Sequence, residues 1–528
     1  MKKYMSIKTW LIPMALLLLS CNDWLTETGP GVTELDDFFS SGNTAIQSVN
    51  AAYVPLAWDY NSTFINEWFI GDVVSDDALK GGQNINDMAD VYDMENFKTN
   101  TNNGFLLDFY RAQYQGISRS NLVLQEVPNM QTDTIMDADL KDRLVGEAKF
   151  LRALYYFRLV RVFGGVPKID FVILSGNQWK QPRASMEEIY QFIIDDLLDA
   201  EKKLWVKSKY SSEDLGRATK GAAQAMLLKT YLYTHNFVEA EKWGKTLVKQ
   251  AEEDGEYNLC PNYKDNFTLA GENGPESIFE IQYMADPQSD YGEGFGFSRG
   301  TFSVILTRSR ASKLGGGWGF NKPTQNLYDS YETGDPRRDE TILNPSDEDI
   351  ETPSQEIYLG SRYLNKKYGM YEDGPGNTIF KLDHESRGPI NTKVIRYADA
   401  LLMYAEACAE NNNLTDAKWA LEKVRERARG GDNSLLPSFP NYSGYTDSKA
   451  DLIKAIRQER RVELAMEGHR WFDLCRWGIA KQVMDAYKAN ESEEAKGHMA
   501  DFISGTHELF PIPADEISLG SLTQNNGY

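Results

Sequence analysis

Few stretches of this chain have residue types and spacing that could do covalent chemistry. Gly296-Phe297-Ser298-Arg299-Gly300 matches G-x-S-x-G, the turn that holds up a nucleophilic serine between a strand and a helix. Here Thr301-Phe302-Ser303-Val304-Ile305-Leu306 follows as a strand-like run and no βαβ pattern surrounds it, so the match does not support a hydrolase. Glu459, Glu463 and Glu467 fall at i, i+4 and i+8 on one helix face, and a carboxyl pair can act as acid and base on a glycosidic bond. A carboxyl with a raised pKa needs apolar or like-charged surroundings, whereas these have Arg457, Arg460, Arg461, Arg470 and Arg476. That composition reads as a structural ion-pair network, and Arg396 with Asp399 at i, i+3 reads the same way.

Metal and phosphate chemistry find less support. His235, His384, His469, His498 and His507 form no H-E-x-x-H and no close pair, which argues against a catalytic zinc. Gly292-Glu293-Gly294-Phe295-Gly296 is glycine-rich enough to cradle a phosphate but opens no helix. Asp347-Glu348-Asp349 and Glu351 lack the EF-hand spacing and read as a solvated acidic loop. No cofactor is expected; calcium is left open without a motif behind it. Cys260, Cys408 and Cys475 are far apart with no Cys-x-x-Cys, and Cys408 and Cys475 sit in apolar helical patterns as small core residues.

What remains is a set of aromatic residues on loops. Trp58, Tyr60, Trp68 and Tyr92 fall in or beside an Asn-, Asp- and Gly-rich stretch, 63–103, and Tyr291, Phe295, Phe297 and Trp318 fall in a second loop region. A sugar ring stacks its apolar face on an aromatic plane and offers hydroxyls to Asn, Asp and Arg, and Asp72, Asp77, Asn84 and Arg308 are close in sequence. This combination suits a neutral glycan. The net charge of −22 agrees, since it should repel nucleic acid and anionic lipid headgroups.

The elements that must position these loops are helical. Leu140, Leu144, Ala148, Leu151, Tyr155, Leu159 and Val162 hold the helical period for six turns, and beyond Lys149 the other faces also turn apolar, broken only by Arg152, Arg158 and Arg161. This is a core helix, stopped by Gly164-Gly165 and Pro167. Helices are also expected over Ala45–Tyr53, Phe105–Val127 and, from the capping box Ser185-x-x-Glu188, to about Leu204. Arg217–Thr234 with Phe237–Ala251 forms a helix hairpin turning at His235-Asn236, and Val394–Glu410 with Leu414–Arg429 repeats it around Asn413. Ala240 and Ala417 hold equivalent places, the small residue that lets a tetratricopeptide-like second helix pack closely. Lys449–Met466 with Trp471–Lys488 is a third pair. Residues 261–388 are loop-rich, with short β-like runs at Ser277–Gln282 and Thr301–Leu306.

The N-terminus reads as a targeting segment. Lys2, Lys3 and Lys8 precede a short apolar stretch, Trp10–Leu19, too short to span a bilayer comfortably, and Leu18-Leu19-Ser20-Cys21 resembles a lipobox with Cys21 the lipidated residue. The expected organisation is a signal peptide over 1–20, a tether over 21–44, and one domain over 45–528, divided into an N-terminal helical part (45–260), a loop-rich part (261–393) and a C-terminal helical part (394–528).

Six motifs in order resemble the SusD/RagB family of bacterial outer-membrane nutrient-binding lipoproteins. They are Cys21-Asn22-Asp23-Trp24-Leu25; Glu147–Ala153 running to Phe163-Gly164-Gly165-Val166-Pro167; Arg217–Ala223; Ile395–Asp399 with Tyr404–Ala407; Glu459–Leu464 with Glu467–Leu474; and Phe510–Pro513, Glu516 and Gln524-Asn525. The family usually has Pro where this chain has Asn526. The resemblance implies an all-α scaffold of tetratricopeptide-like helix pairs with a loop-rich segment carrying short β elements. It implies a surface-exposed, lipid-anchored protein that binds oligosaccharides without hydrolysing them and passes them to a SusC-like TonB-dependent transporter. Ligand contacts then come from loops, near the first loop region and Tyr291–Trp318, with Trp318 close to where some members place a stacking Trp; the signature residues are framework. A peptide- or glycopeptide-capturing relative of the same architecture remains the alternative, with a hydrolase behind it.

Overall fold

The computed structural model describes residues 35–289, 298–371 and 379–528. Long helices build the framework: α1 (Gly42–Tyr53), α2 (Gly104–Glu126), α3 (Ala138–Phe163), α4 (Met186–Lys203), α5 (Lys220–Tyr233), α6 (Phe237–Glu252), α7 (Tyr397–Glu410), α8 (Leu414–Arg429) and α9 (Lys449–Glu463). Strands are short and pair antiparallel in twos: β1 (Ala78–Gly81) with β3 (Phe320–Pro323), β2 (Ser277–Ile281) with β6 (Thr392–Arg396), and β4 (Ile342–Leu343) with β5 (Leu364–Asn365). The architecture is all-α, as expected.

Helix α3 is the central post. Asp137 caps it by accepting the Leu140 N–H at 2.8 Å, and Gly164, at φ +72°, ends it. It packs against α1, α2, α4 and α5, and Leu144, Phe150, Leu151, Tyr155, Leu159 and Phe163 are each fully buried. Each such side chain contributes about 1.5–3 kcal/mol by leaving water. Helix α2 approaches so closely at Gly116 that a Cβ there would lie 2.1 Å from the Tyr155 ring, which excludes any larger residue. The arginines that break the apolar wall are all engaged: Arg152 forks onto Asp196 at 2.7 and 2.8 Å, while Arg158 and Arg161 clamp Glu67. Burial pushes the Glu67 carboxyl up, but the two guanidiniums outweigh it and hold the group at about 2.

The C-terminal motif closes this post. Phe510 N–H donates to Val162 O at 2.8 Å and Asn525 Nδ2 to Phe163 O at 3.0 Å, so carbonyls left open by the end of α3 are satisfied by the last residues of the chain.

The helix hairpins α5–α6 and α7–α8 follow the expected pattern. Asn236 and Asn413 cap the second helices, accepting N–H from Glu239 and Asp416, and Ala240 and Ala417 are fully buried where the helices meet. Helix α7 also packs against α6, which joins the two hairpins.

Four local expectations change. Residues 394–396 belong to strand β6, and the helix starts at Tyr397, because this β-branched run pairs with β2. The run Thr301–Leu306 is not a strand: Ser303–Thr307 is a short helix, its first N–H accepted by the Thr301 hydroxyl at 2.9 Å. The expected helix 471–488 breaks into Arg470–Arg476 and Ala480–Asn490 around Gly478, which has φ +66°. Part of the expected tether, 21–44, is folded: Phe39 is buried with Val123 and Val127, and the Gly42 N–H donates to Asp133 at 2.7 Å. Cys21 and residues 1–20 lie outside the described residues. Among the described residues no helix is long and apolar enough to cross a membrane.

Candidate functional site

Two segments far apart in sequence, 58–68 and 298–320, are joined by a polar seam. The buried Asp59 carboxylate accepts the Phe302 N–H and the Tyr283 hydroxyl, each at 2.9 Å, and also the Thr301 hydroxyl. Burial raises the pKa of Asp59, and these three donors pull it back. One turn further, Ser303 Oγ accepts both Asn66 Nδ2 at 3.0 Å and Trp68 Nε1 at 3.1 Å.

The seam brings four rings together. Ring centroids lie 4.9 Å apart for Tyr60 and Phe64, 5.1 Å for Phe64 and Phe302, and 5.4 Å for Phe64 and Trp318, with edge-on or tilted planes. Phe302 is buried and forms the floor; Tyr60, Phe64 and Trp318 are half-buried and present a contiguous aromatic face. The Trp318 backbone is fixed behind its ring. Its N–H donates to Ile305 O at 2.9 Å, and a Cβ on the preceding Gly317 would meet Arg308 Cβ at 2.4 Å, so glycine is required there.

A polar loop borders this face. Pairing of β1 with β3 sets Gly81 opposite Phe320, and the Gly82 N–H donates to Gly319 O at 2.9 Å, beside Trp318. The buried Lys80 ammonium donates to the carbonyls of Gly81 at 2.8 Å, Asn84 at 3.1 Å and Asp87 at 2.6 Å, gathering the loop around one charge. Burial lowers the Lys80 pKa to about 8, although Glu95 and Asp87 oppose it. Asp87 also bridges to Arg310 at 2.9 Å. The amide side chains of Gln83, Asn84 and Asn86 are exposed on this loop. Hydrophobic rings beside hydrogen-bonding amides form a surface suited to a ligand with an apolar face and many hydroxyls.

Of the residues expected at the site, Tyr60 and Trp318 each pack against Phe64, and Asn84 lies on the bordering loop. The sequence offers no signal for Phe64 beyond an aromatic four residues after Tyr60. Trp58 is half-buried with the Arg119 guanidinium over its ring at 5.2 Å. Tyr92 is half-buried elsewhere, its hydroxyl 2.7 Å from His498 Nδ1. Three others are framework rather than contact residues. Trp68 is 4% exposed, with its indole N–H spent on Ser303 and its ring 3.9 Å from that of Phe69. Asp77 is fully buried and paired with Arg461 at 2.8 Å. Arg308 is buried and ties Gly369 O and Phe380 O at 2.8 and 2.7 Å. Tyr291, Phe295 and Phe297 lie outside the described residues.

The groups weighed for catalysis are committed to structure. Ser298 is buried, with Oγ at 2.8 and 2.6 Å from the carbonyl oxygens of Gly300 and Ser386. The short helix that follows it starts five residues on, so the serine does not sit on a strand-to-helix elbow. Glu459, Glu463 and Glu467 form a buried ion-pair network with Arg337, Arg396, Arg425, Arg427 and Lys367. Burial raises Glu467, but Arg396 and Lys367 outweigh it and bring it to about 2, the reverse of what a general acid needs. Arg396 pairs with Glu276, Glu463 and Glu467; Asp399 instead pairs with Lys229 and Arg460. The acidic loop is likewise engaged, Asp347 with Arg362 at 2.8 Å and Glu351 with the Ser312 N–H at 3.0 Å. Among the described residues no group of three or more His, Cys, Asp or Glu is placed to hold a metal ion.

Two family profiles match the chain: one described as the SusD family over residues 275–528, and one described as starch-binding, associating with the outer membrane, over 35–232. A SusD-like protein of Formosa agariphila is 27% identical over 551 residues, covering 100% of both chains. A solved laminarin-binding SusD-like protein is 28% identical, with a TM-score of 0.75 over 93% of this chain and 100% of its own. Surface glycan-binding protein A from Bacteroides thetaiotaomicron, solved with laminarihexaose, is 24% identical, with a TM-score of 0.77 over 92% of this chain and 100% of its own. Matched in both halves by family profile and along its length by relatives and folds, the chain belongs to the SusD/RagB family.

Proposed function

We propose that this protein is a cell-surface lipoprotein, anchored in the outer membrane through Cys21, that captures a neutral oligosaccharide and delivers it intact to a SusC-like TonB-dependent transporter. The observation that carries this reading is the half-exposed aromatic face of Tyr60, Phe64 and Trp318, held on a rigid seam beside the exposed amides of the Lys80-gathered loop. The rings supply apolar area for the sugar face, and the amides supply donors and acceptors for its hydroxyls. The laminarin-binding relative and the laminarihexaose complex, on the same fold, make β-linked glucans a first choice of probe.

Isothermal titration against a panel of soluble neutral glycans, with peptides as controls, tests the reading. Binding of a glycan that Trp318→Ala weakens, with no cleavage products after prolonged incubation, is the expected result. Peptide binding without glycan binding would move the protein to the peptide-capturing alternative. Delivery is tested by co-purification with a SusC-like transporter from the outer membrane of the source organism.

A further inference from the structure

The exposed stripe of α2 leads away from the aromatic face. At its start, Asp108 accepts the N–H and hydroxyl of Thr63, both at 2.9 Å, next to Phe64. Asp108, Arg111, Gln115 and Ser118 share one helix face, the last three exposed. At 1.5 Å rise per residue, Tyr114 to Ser118 lie about 9–15 Å along the axis from Asp108. There the stripe forms one wall of a groove of about 420 Å³, closed by segment 167–181 and the C-terminal helix Ala514–Gly520.

This groove repeats the chemistry of the aromatic face with different residues. Tyr114, Phe171 and Trp179 are half-buried rings on its wall, and Gln115, Ser118 and Gln181 bring amide and hydroxyl groups. Its backbone is fixed: the Tyr114 hydroxyl donates to Pro167 O at 2.7 Å, and Asn121 Nδ2 holds Ile169 O and Phe171 O at 2.9 and 3.0 Å. Arg152 in turn orients Asn121 at 2.9 Å, so the groove is anchored to the central post. At its rim Arg111 pairs with Glu516 at 2.8 Å and Asp515 at 3.2 Å, and the Lys180 ammonium lies 5.2 Å from the centre of the Trp179 ring, leaving the other face of that ring for a ligand. A volume in the range of small-molecule sites and rings with hydrogen-bonding neighbours suit a hydroxyl-rich ligand.

We propose that this groove is a second subsite for a neutral saccharide chain, so that a long glycan spans from the Tyr60–Phe64–Trp318 face along α2 to Trp179. The proposal rests on the glycan-binding reading above and adds that affinity grows with chain length.

The test is titration with laminarin-derived and starch-derived oligosaccharides of increasing length, on wild type, Trp179→Ala and Trp318→Ala. Trp179→Ala should weaken the longest oligosaccharides roughly three- to ten-fold and leave the shortest unchanged, while Trp318→Ala weakens every length. Ser118→Trp, at an exposed helix position, should fill the groove without touching the core and give the same length-selective loss. If Trp318→Ala weakens binding but neither groove variant does at any length, or if wild-type affinity does not rise with length, the second subsite is wrong and the first reading stands. If no oligosaccharide binds to wild type, both fall.

Discussion

Trp68 and Ser303, 235 residues apart in sequence, meet through a single hydrogen bond, the indole N–H donating to the serine hydroxyl at 3.1 Å. The ring that composition suggested as a ligand platform is instead the pin that holds the platform's two halves. Asn66 donates to the same oxygen and Asp59 adds three further bonds, so the position of Tyr60 and Phe64 relative to Trp318 is fixed by polar contacts rather than by local chain stiffness.

Removal of a half-buried ring from the aromatic face should cost binding and, through lost packing on Phe302 or Phe64, some stability. Trp318→Ala and Phe64→Ala are expected to weaken glycan affinity by about 1–3 kcal/mol each, the loss of one stacked ring. Calorimetry reads the affinity and a thermal melt reads the fold; unchanged affinity in both variants, with intact folding, removes the aromatic face from the site.

Lys80→Met keeps the stem but deletes the charge that gathers Gly81, Asn84 and Asp87. Loss of charge-assisted bonds to one buried and two partly buried carbonyls should destabilise the protein by about 2–4 kcal/mol. Hydrogen exchange should rise across residues 81–87 more than elsewhere. Equal protection of that loop in both proteins would show that β1–β3 pairing alone holds it.

Glu463 accepts from Arg337, Arg396 and Arg427 in a fully buried setting. Glu463→Gln leaves three guanidiniums short of one negative charge, and a cost of about 3–5 kcal/mol in urea unfolding is expected. A wild-type midpoint would mean that the remaining carboxylates, Glu276, Glu459 and Glu467, carry the network without it.

The pH dependence of stability should have a component from Asp72. Its carboxyl is fully buried; burial, helped by Asp77, raises its pKa to about 8 although it accepts the Gly468 N–H at 2.8 Å. An unfolded aspartate titrates near 3.9, so the folded state holds this proton where the unfolded chain has released it. That contribution is present at acid pH, is lost as pH rises between about 4 and 8, and is level above. The melting temperature of wild type minus that of Asp72→Asn should therefore fall across that window. A flat difference would place the Asp72 pKa near its ordinary value. Glu467, held at about 2, works in the opposite sense: its contribution is kept above about pH 4 and lost as pH falls toward 2.

Helical periods made the framework legible. Six turns of Leu, Ala, Tyr and Val spacing located α3, and Asn236 and Asn413 located two hairpins, because both signals depend only on neighbours in the chain. The site was less legible for the same reason. Composition names Tyr60, Asn84 and Trp318 as candidates, but nothing local distinguishes Trp68, which is buried against Phe69 and bonded to Ser303, from Trp318, which is half-buried. Arg396 shows the limit again. Helical spacing pointed it at Asp399, yet it ends a strand, where i, i+3 neighbours do not share a face, and its guanidinium turns to Glu276, Glu463 and Glu467 instead.

The central post is sealed by the chain's own end: Phe510 and Asn525 reach back to Val162 and Phe163. The Phe163 carbonyl therefore meets its Asn525 partner only across 362 residues of sequence, so the end of α3 depends on the fold as a whole. A chain cut before Phe510 would leave the carbonyls of Val162 and Phe163 without these donors, and its thermal melt should fall below that of the full chain.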